Sequence, residues 1–313
     1  QSNMSQSNMS RRSRRLNKNG DNEPVPQYFF AAFTGDRSGS MSSLDSASAE
    51  GLYEWVKTMK ETSTKNNQEG FISVTTFDDK TNKIFDNVNV KSVDFTKERA
   101  IEEMAPRGTT RLYDTAVEDI QQLLKNVAKF RKSLHPAVKA LNPKISISWA
   151  CCTDGQDNDS SLYSSADLKK YVTKAKKKGV KCFFIAANQN AVMTGSHYGF
   201  REDESMSFSA NRTNASNAFR NVSDNMRRVS SGSSNTPFTQ AMRLSSLTPH
   251  DRRNYSQSNS IISSPPTIQS ITHGAAALIR SNAVILDSPS NLRTRNITLR
   301  QPPRINRRQL NFR

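Results

Sequence analysis

"QYFFAAFTGDRSGSM", residues 27–41, carries the pattern from which the architecture follows. Its first seven residues form an apolar run, and the chain then breaks into Gly, Asp, Arg and Ser, residues that turns use for positive φ and for local side-chain bonds. Within the turn, Asp36, Ser38 and Ser40 present alternating oxygens. Such a turn is either plain surface loop or a cation loop, and the rest of the chain has to decide.

Further along the chain the same punctuation returns. The runs "FISVTTF", "KIFDNVNV", "KISISWACC" and "VKCFFIAAN" read as further strands, with a weaker one at "SMSFSA". Between them lie segments of helical period. Leu52, Trp55, Val56 and Met59 share a face, as do Ala116, Ile120, Leu123, Leu124 and Val127. So do Leu168, Tyr171, Val172 and Ala175, and then Ala218, Phe219, Val222 and Met226, all at the i, i+3, i+4 spacing of core-facing helices. Only "DDKTN" separates the second and third runs, which makes them a hairpin. The pattern predicts an α/β fold over residues 27–228: a doubly wound, mostly parallel six-stranded sheet with one antiparallel edge strand and helices on both faces.

The 313 residues are 34% hydrophobic and carry a net charge of +17, unevenly placed. Residues 1–26 hold five basic and two acidic groups, and residues 229–313 hold eleven Arg against Asp251 and Asp287. Tails of +3 and +9 leave only +5 of that total for the middle, an ordinary balance for a folded domain. Composition therefore predicts disordered basic tails at 1–26 and 229–313, too sparse in apolar residues to offset ordering entropy. Cys151, Cys152 and Cys182 lie within apolar runs and fit neither a disulfide framework nor a zinc spacing. They read as buried thiols, which suits a reducing compartment. With no apolar run of membrane-spanning length and no signal peptide, the expected setting is intracellular and cytoplasmic. The start at Gln1 with a tandem "QSNMSQSNMS" reads as a chain missing its true beginning.

Two more polar turns join the first: "PRGTTRLYD", residues 106–114, and "CCTDGQDN", residues 151–158. If "QYFFAAF" and "KISISWACC" are central neighbours from which the chain winds outward, Asp36 and Asp154 flank the topological switch point, where such sheets bind ligands. Two carboxylates with three hydroxyls, and no His or Cys, form a hard-oxygen set suited to Mg²⁺, Mn²⁺ or Ca²⁺.

Asp36, Ser38 and Ser40 in "DRSGSM", Thr110 in "GTTRLYD" and Asp154 in "TDG" together resemble the metal ion-dependent adhesion site of the von Willebrand factor type A (vWA) domain family. The resemblance covers residues 27–228, and "FFIAANQNA" is similar to the last long strand and turn of stand-alone intracellular members. It implies that Ser38, Ser40 and Thr110 lend hydroxyl oxygens to a Mg²⁺ ion while Asp36 and Asp154 approach it directly or through water. An acidic group of a protein partner would complete the coordination. Thr110 is preferred to Thr109 because it lies two residues before Leu112. The chain departs from the family at Thr34 and Gly35, where an aliphatic pair is usual.

Other features read blandly. Arg37 is expected to be a solvated loop residue, the lysines of "LKKYVTKAKKKGVK" the wet face of a helix, and His135 and His197 have no partner pattern. An aspartyl-phosphate enzyme would need a second carboxylate where Ser38 stands, and no other catalytic set is visible, so the reading is a binding protein and not an enzyme. The alternative function is nucleic-acid binding or packaging through the Arg-rich tails. "RRVS", ending at Ser230, resembles a basophilic-kinase substrate.

Overall fold

The computed structural model describes residues 25–44, 46–233 and 237–255. Strands β1 (Gln27–Asp36), β2 (Glu69–Phe77), β3 (Thr81–Asn89), β4 (Lys144–Thr153), β5 (Val180–Ala187) and β6 (Ser205–Phe208) form one sheet in the order β3-β2-β1-β4-β5-β6. All pairings are parallel except β2–β3, the hairpin at one edge. As the sequence pattern predicts, β1 and β4 are central neighbours and the antiparallel strand lies at the edge.

Side chains alternate across the sheet with the period of two that a pleated strand imposes. On one face Phe29, Ala31 and Phe33 of β1 join Ile72, Val74, Phe183 and Ile185. They pack under α1 (Ala47–Lys65), the short α2 (Lys97–Glu103) and α7 (Arg212–Ser230). On the other, Phe30, Ala32, Trp149 and Phe184 pack under α3 (Leu112–Ser133), α5 (Ser165–Lys177) and α6 (Ala191–His197). The four helical stripes read from the sequence all face these two cores. A short α4 (Pro136–Ala140) links α3 to β4. Helices of five to seven residues, α2, α4 and α6, are too short to display a period, so no stripe announces them. The three cysteines are free and buried, and burial pushes their thiols upward, Cys182 to about 12.

The boundary expected at residue 228 is too short. After α7 the chain continues into α8 (Gln240–Ser245), and Phe238 is buried edge-to-face against Phe183, with ring centroids 5.6 Å apart. Leu247 is buried as well, and Phe238 N donates to Asp203 O while Ser209 N donates to Ser246 O. Two isolated apolar anchors carry no periodicity, so composition alone assigns them to a tail. The same finding corrects the phosphorylation reading. Ser230 is 1% exposed in the last turn of α7, its hydroxyl beside Met59 Sδ, out of reach of a kinase. The rest of the expected tails, 1–24, 234–236 and 256–313, lies outside the described residues.

Candidate metal centre

Right-handed crossovers bring the loops after β1 and β4 to one edge of the sheet, and the loop before α3 joins them. Asp36 is the last residue of β1 and is fully buried. Its Oδ1 accepts the Ser38 amide at 2.7 Å and its Oδ2 the Thr153 hydroxyl at 2.6 Å. Burial raises the carboxyl to about 6 against the lowering effect of those bonds. The chain then turns into a 3₁₀ segment, Gly39–Leu44, anchored by buried Met41 and Leu44, which leaves Ser40 exposed at the rim.

Four of the five candidate residues form a continuous polar chain. Ser38 Oγ and Ser40 Oγ stand 3.1 Å apart, and Ser40 Oγ donates to Asp154 Oδ1 at 2.7 Å. Asp154 is also raised by burial. Thr110 enters through Gly155: a β-carbon placed on that glycine would lie 3.6 Å from Thr110 Oγ1 and 3.8 Å from Ser40 Oγ. Hydroxyls from the first two loops therefore lie close to the third loop at Gly155. Among the described residues no group of three or more His, Cys, Asp or Glu side chains could hold a metal.

The loops are stitched by residues that sequence reasoning missed. Asp114, in the first turn of α3, is completely buried and accepts the amides of Ser161, Leu162 and Tyr163, which pins the loop after β4. Asp157 accepts the Tyr113 amide, and Asn158 Oδ1 accepts the Thr110 amide at 2.7 Å. Acids near a helix start are the available signal, but they are equally the signal of ordinary caps.

Arg37 is not solvated. It is 5% exposed, its Nε 2.9 Å from Asp78 Oδ2, with Arg107 Nε on the same oxygen at 2.6 Å. Burial alone would raise Asp78, but the Arg107 and Arg37 guanidiniums and the Lys80 amide hold it below its ordinary value. The backbone completes the seam: Gly39 N donates to Gly108 O, Arg107 N to Arg37 O and Arg111 N to Asp78 O. Arg37 thus locks the first loop to the β2–β3 hairpin.

The Thr34–Gly35 departure also has a physical basis. Thr34 Oγ1 donates to Asp119 Oδ2 at 2.6 Å and accepts from Trp149 Nε1 at 2.9 Å. Thr75 Oγ1 donates to Asp119 Oδ1 at 2.8 Å. An aliphatic residue at 34 would leave the buried Asp119 and Trp149 short of a partner. A β-carbon at Gly35 would press on Phe33 Cε1 at 3.2 Å and stand 3.5 Å from Met104 Sδ. The glycine lets the end of α2 close over β1.

Strand order, the antiparallel edge, the helices on both faces and three loops meeting at the edge beyond β1 and β4 define a von Willebrand A-type fold. No family model matches the sequence, nor does any curated protein. Among solved structures the chain is similar to proximal thread matrix protein 1 of the mussel byssus, at 17% identity and TM-score 0.41, over 66% of this chain and 47% of that one. A second structure of that protein, with a zinc-occupied MIDAS motif, matches at 19% identity and TM-score 0.36, over 66% and 46%. The SpRpn10 VWA domain matches at 14% identity and TM-score 0.40, over 63% of this chain and 95% of the other. The chain spans about half the length of the mussel protein it matches. At these identities and scores the likeness concerns architecture and no more.

Proposed function

We propose that the domain binds a divalent hard cation through Asp36, Ser38, Ser40, Thr110 and Asp154, and through that cation an acidic side chain of a protein partner. Mg²⁺ is the cation the set suits best, with Mn²⁺ and Ca²⁺ as substitutes. What supports the reading is the polar chain from Ser38 through Ser40 to Asp154, with Thr110 Oγ1 and Ser40 Oγ both near Gly155. Hard cations take oxygen ligands, and neutral hydroxyls leave much of the ion's charge uncompensated, so that a bound ion attracts a partner carboxylate. Thr153 and the Ser38 amide hold Asp36 in place, while the Arg37–Asp78 seam and Asp114 keep the three loops from drifting apart.

The role is adhesion or scaffolding and not catalysis, in an intracellular setting that keeps the buried thiols reduced. No helix among the described residues is long and apolar enough to cross a membrane. Tail-borne nucleic-acid binding has no structural observation behind it, since the Arg-rich segments lie outside the described residues. Calorimetric titration with Mg²⁺ and Mn²⁺, with and without an acidic peptide, is the test. Divalent binding that tightens with the peptide supports the reading. No heat at millimolar metal with peptide present overturns it and leaves the loops as turns.

A further inference from the structure

The lysines of α5 were expected to be a solvated face, but the fold gives them company from two other elements. One cleft of about 590 Å³ between α3 and α5 is lined by Lys83 of β3, Lys125 of α3, and Lys174 and Lys178 of the α5 end, with Glu118 its one acidic lining residue. A second, of about 480 Å³, adjoins it through Lys174 and adds Lys169, Lys170 and Lys177 with no acid at all. All seven are exposed. Among the described residues the lysines within ion-pair distance of a carboxylate are Lys57 and Lys176, so these seven have none. Lys176 differs because it is spent internally, on Glu204 and on the Gly199 carbonyl. A helix C-terminus accounts for cations in the last turn, at Lys174 and Lys177. It accounts for nothing at Lys169, Lys170, Lys83 or Lys125.

We infer that this α3–α5 face is a docking surface for the phosphodiester backbone of a nucleic acid. Seven like charges on and beside a helix about 20 Å long suit an evenly charged polymer, which repays each neutralised phosphate with released counterions. The residue type agrees: lysine is a compact point charge without the bidentate fork that favours carboxylates, and it is depleted at the centres of protein–protein interfaces. The apolar residues lining the larger cleft are confined to Leu124 and the Tyr171 ring under Lys174, little for a protein anchor to bury. Readout would be of backbone and not of bases. Because α5 crosses from the loop after β4 back to the start of β5, Lys174, Lys177 and Lys178 lie toward the sheet edge opposite the metal loops, while Lys83, paired with Thr75, lies nearer to them. A nucleic acid and a metal-bridged partner would occupy different parts of the domain.

The experiment uses the full chain and a fluorescein-labelled oligothymidylate, with anisotropy measured at several salt concentrations. Lys170→Gln, Lys174→Gln, Lys177→Gln and Lys178→Gln combined should lower affinity at low salt at least tenfold. The slope of log affinity against log salt should fall by about 3, at roughly 0.7 for each single-strand phosphate that is no longer neutralised. EDTA should change nothing, which separates this inference from the metal reading. Arg293→Gln, Arg295→Gln, Arg300→Gln and Arg304→Gln form the matched control among residues outside those described. An unchanged affinity and slope in the helix variant, with weakening only in the Arg variant, overturns the inference. So does lysine-dependent binding of phosphatidylserine vesicles or polyglutamate that exceeds binding of the oligonucleotide. If the fourfold variant unfolds, Lys83→Gln with Lys125→Gln gives the same reading across the cleft, with a slope change of about 1.4.

Discussion

The loop edge and the polar cluster just behind it are made of the same chemistry arranged to opposite ends. Behind the edge, both oxygens of Asp119 accept hydroxyls, from Thr34 and Thr75, and Thr34 is itself the acceptor for Trp149. That circuit is closed on all sides and buried. At the edge, Asp36 is equally buried, but the oxygens following it belong to an exposed Ser40 and a partly exposed Asp154, with two serine hydroxyls facing each other. Acids and hydroxyls that point only at one another hold strands together. Those that share an accessible volume can exchange their mutual bonds for an ion.

Four experiments test that contrast. The largest effect is expected for Asp36→Ala, which should erase the calorimetric metal signal entirely. Thermal unfolding should shift by only a few degrees, since the two cores lie elsewhere. A comparable loss of folding would mean that Asp36 is a closed-circuit residue like Asp119.

Next is pH. Burial raises Asp119 to about 6, against the lowering effect of the Thr34 and Thr75 hydroxyls and of Lys83, with Glu118 adding to the rise. The folded value exceeds the unfolded one, so the folded state holds the proton more tightly. Its contribution to stability is greatest below about pH 4 and is lost as pH rises through 6. Relative to Asp119→Asn, the wild type should therefore gain about 2 kcal/mol between pH 7 and pH 4 by urea unfolding. A pH-independent difference would show Asp119 to titrate normally.

Thr75→Val keeps shape and removes one donor to Asp119, so it should cost about 1–2 kcal/mol in the same assay at neutral pH. It should leave metal affinity unchanged. The smallest effect belongs to Thr110→Ala: metal affinity should fall about tenfold, the equivalent of about 1.4 kcal/mol for one oxygen ligand, with the unfolding midpoint within a degree or two. Equal losses in Thr75→Val and Thr110→Ala, both in folding, would erase the distinction between the two regions.

The sheet was legible because its runs and stripes are long: β1, β4 and β5 and the four larger helices each repeat their pattern over two turns or more. The proposed hydroxyl and acid set rests on three spaced motifs in the sequence, and the structure adds the bonds from Ser38 through Ser40 to Asp154. What stayed hidden depended on distance in the chain. Asp119 bonds partners 85 and 44 positions away, and Arg37 finds Asp78 only after β2 has been laid beside β1. No local rule distinguishes such a buried acid from an ordinary helical one, or such a buried arginine from a solvated one. Phe238 was missed for the same reason, since a lone aromatic in a Ser-rich stretch has no period to announce it.

Phe238 and the residues after it also bear on how the chain can be shortened. β6 is only four residues long, and the segment through α8 is bonded to the chain at both of its ends, at Asp203 and Ser209. A protein cut at the close of α7 would keep every strand yet uncover Phe183 and the outermost strand together, offering a sticky margin for a second copy to join. Anyone trimming this chain for crystallisation should keep the anchors through Asp251 and Arg252, or expect oligomers in place of a monodisperse sample.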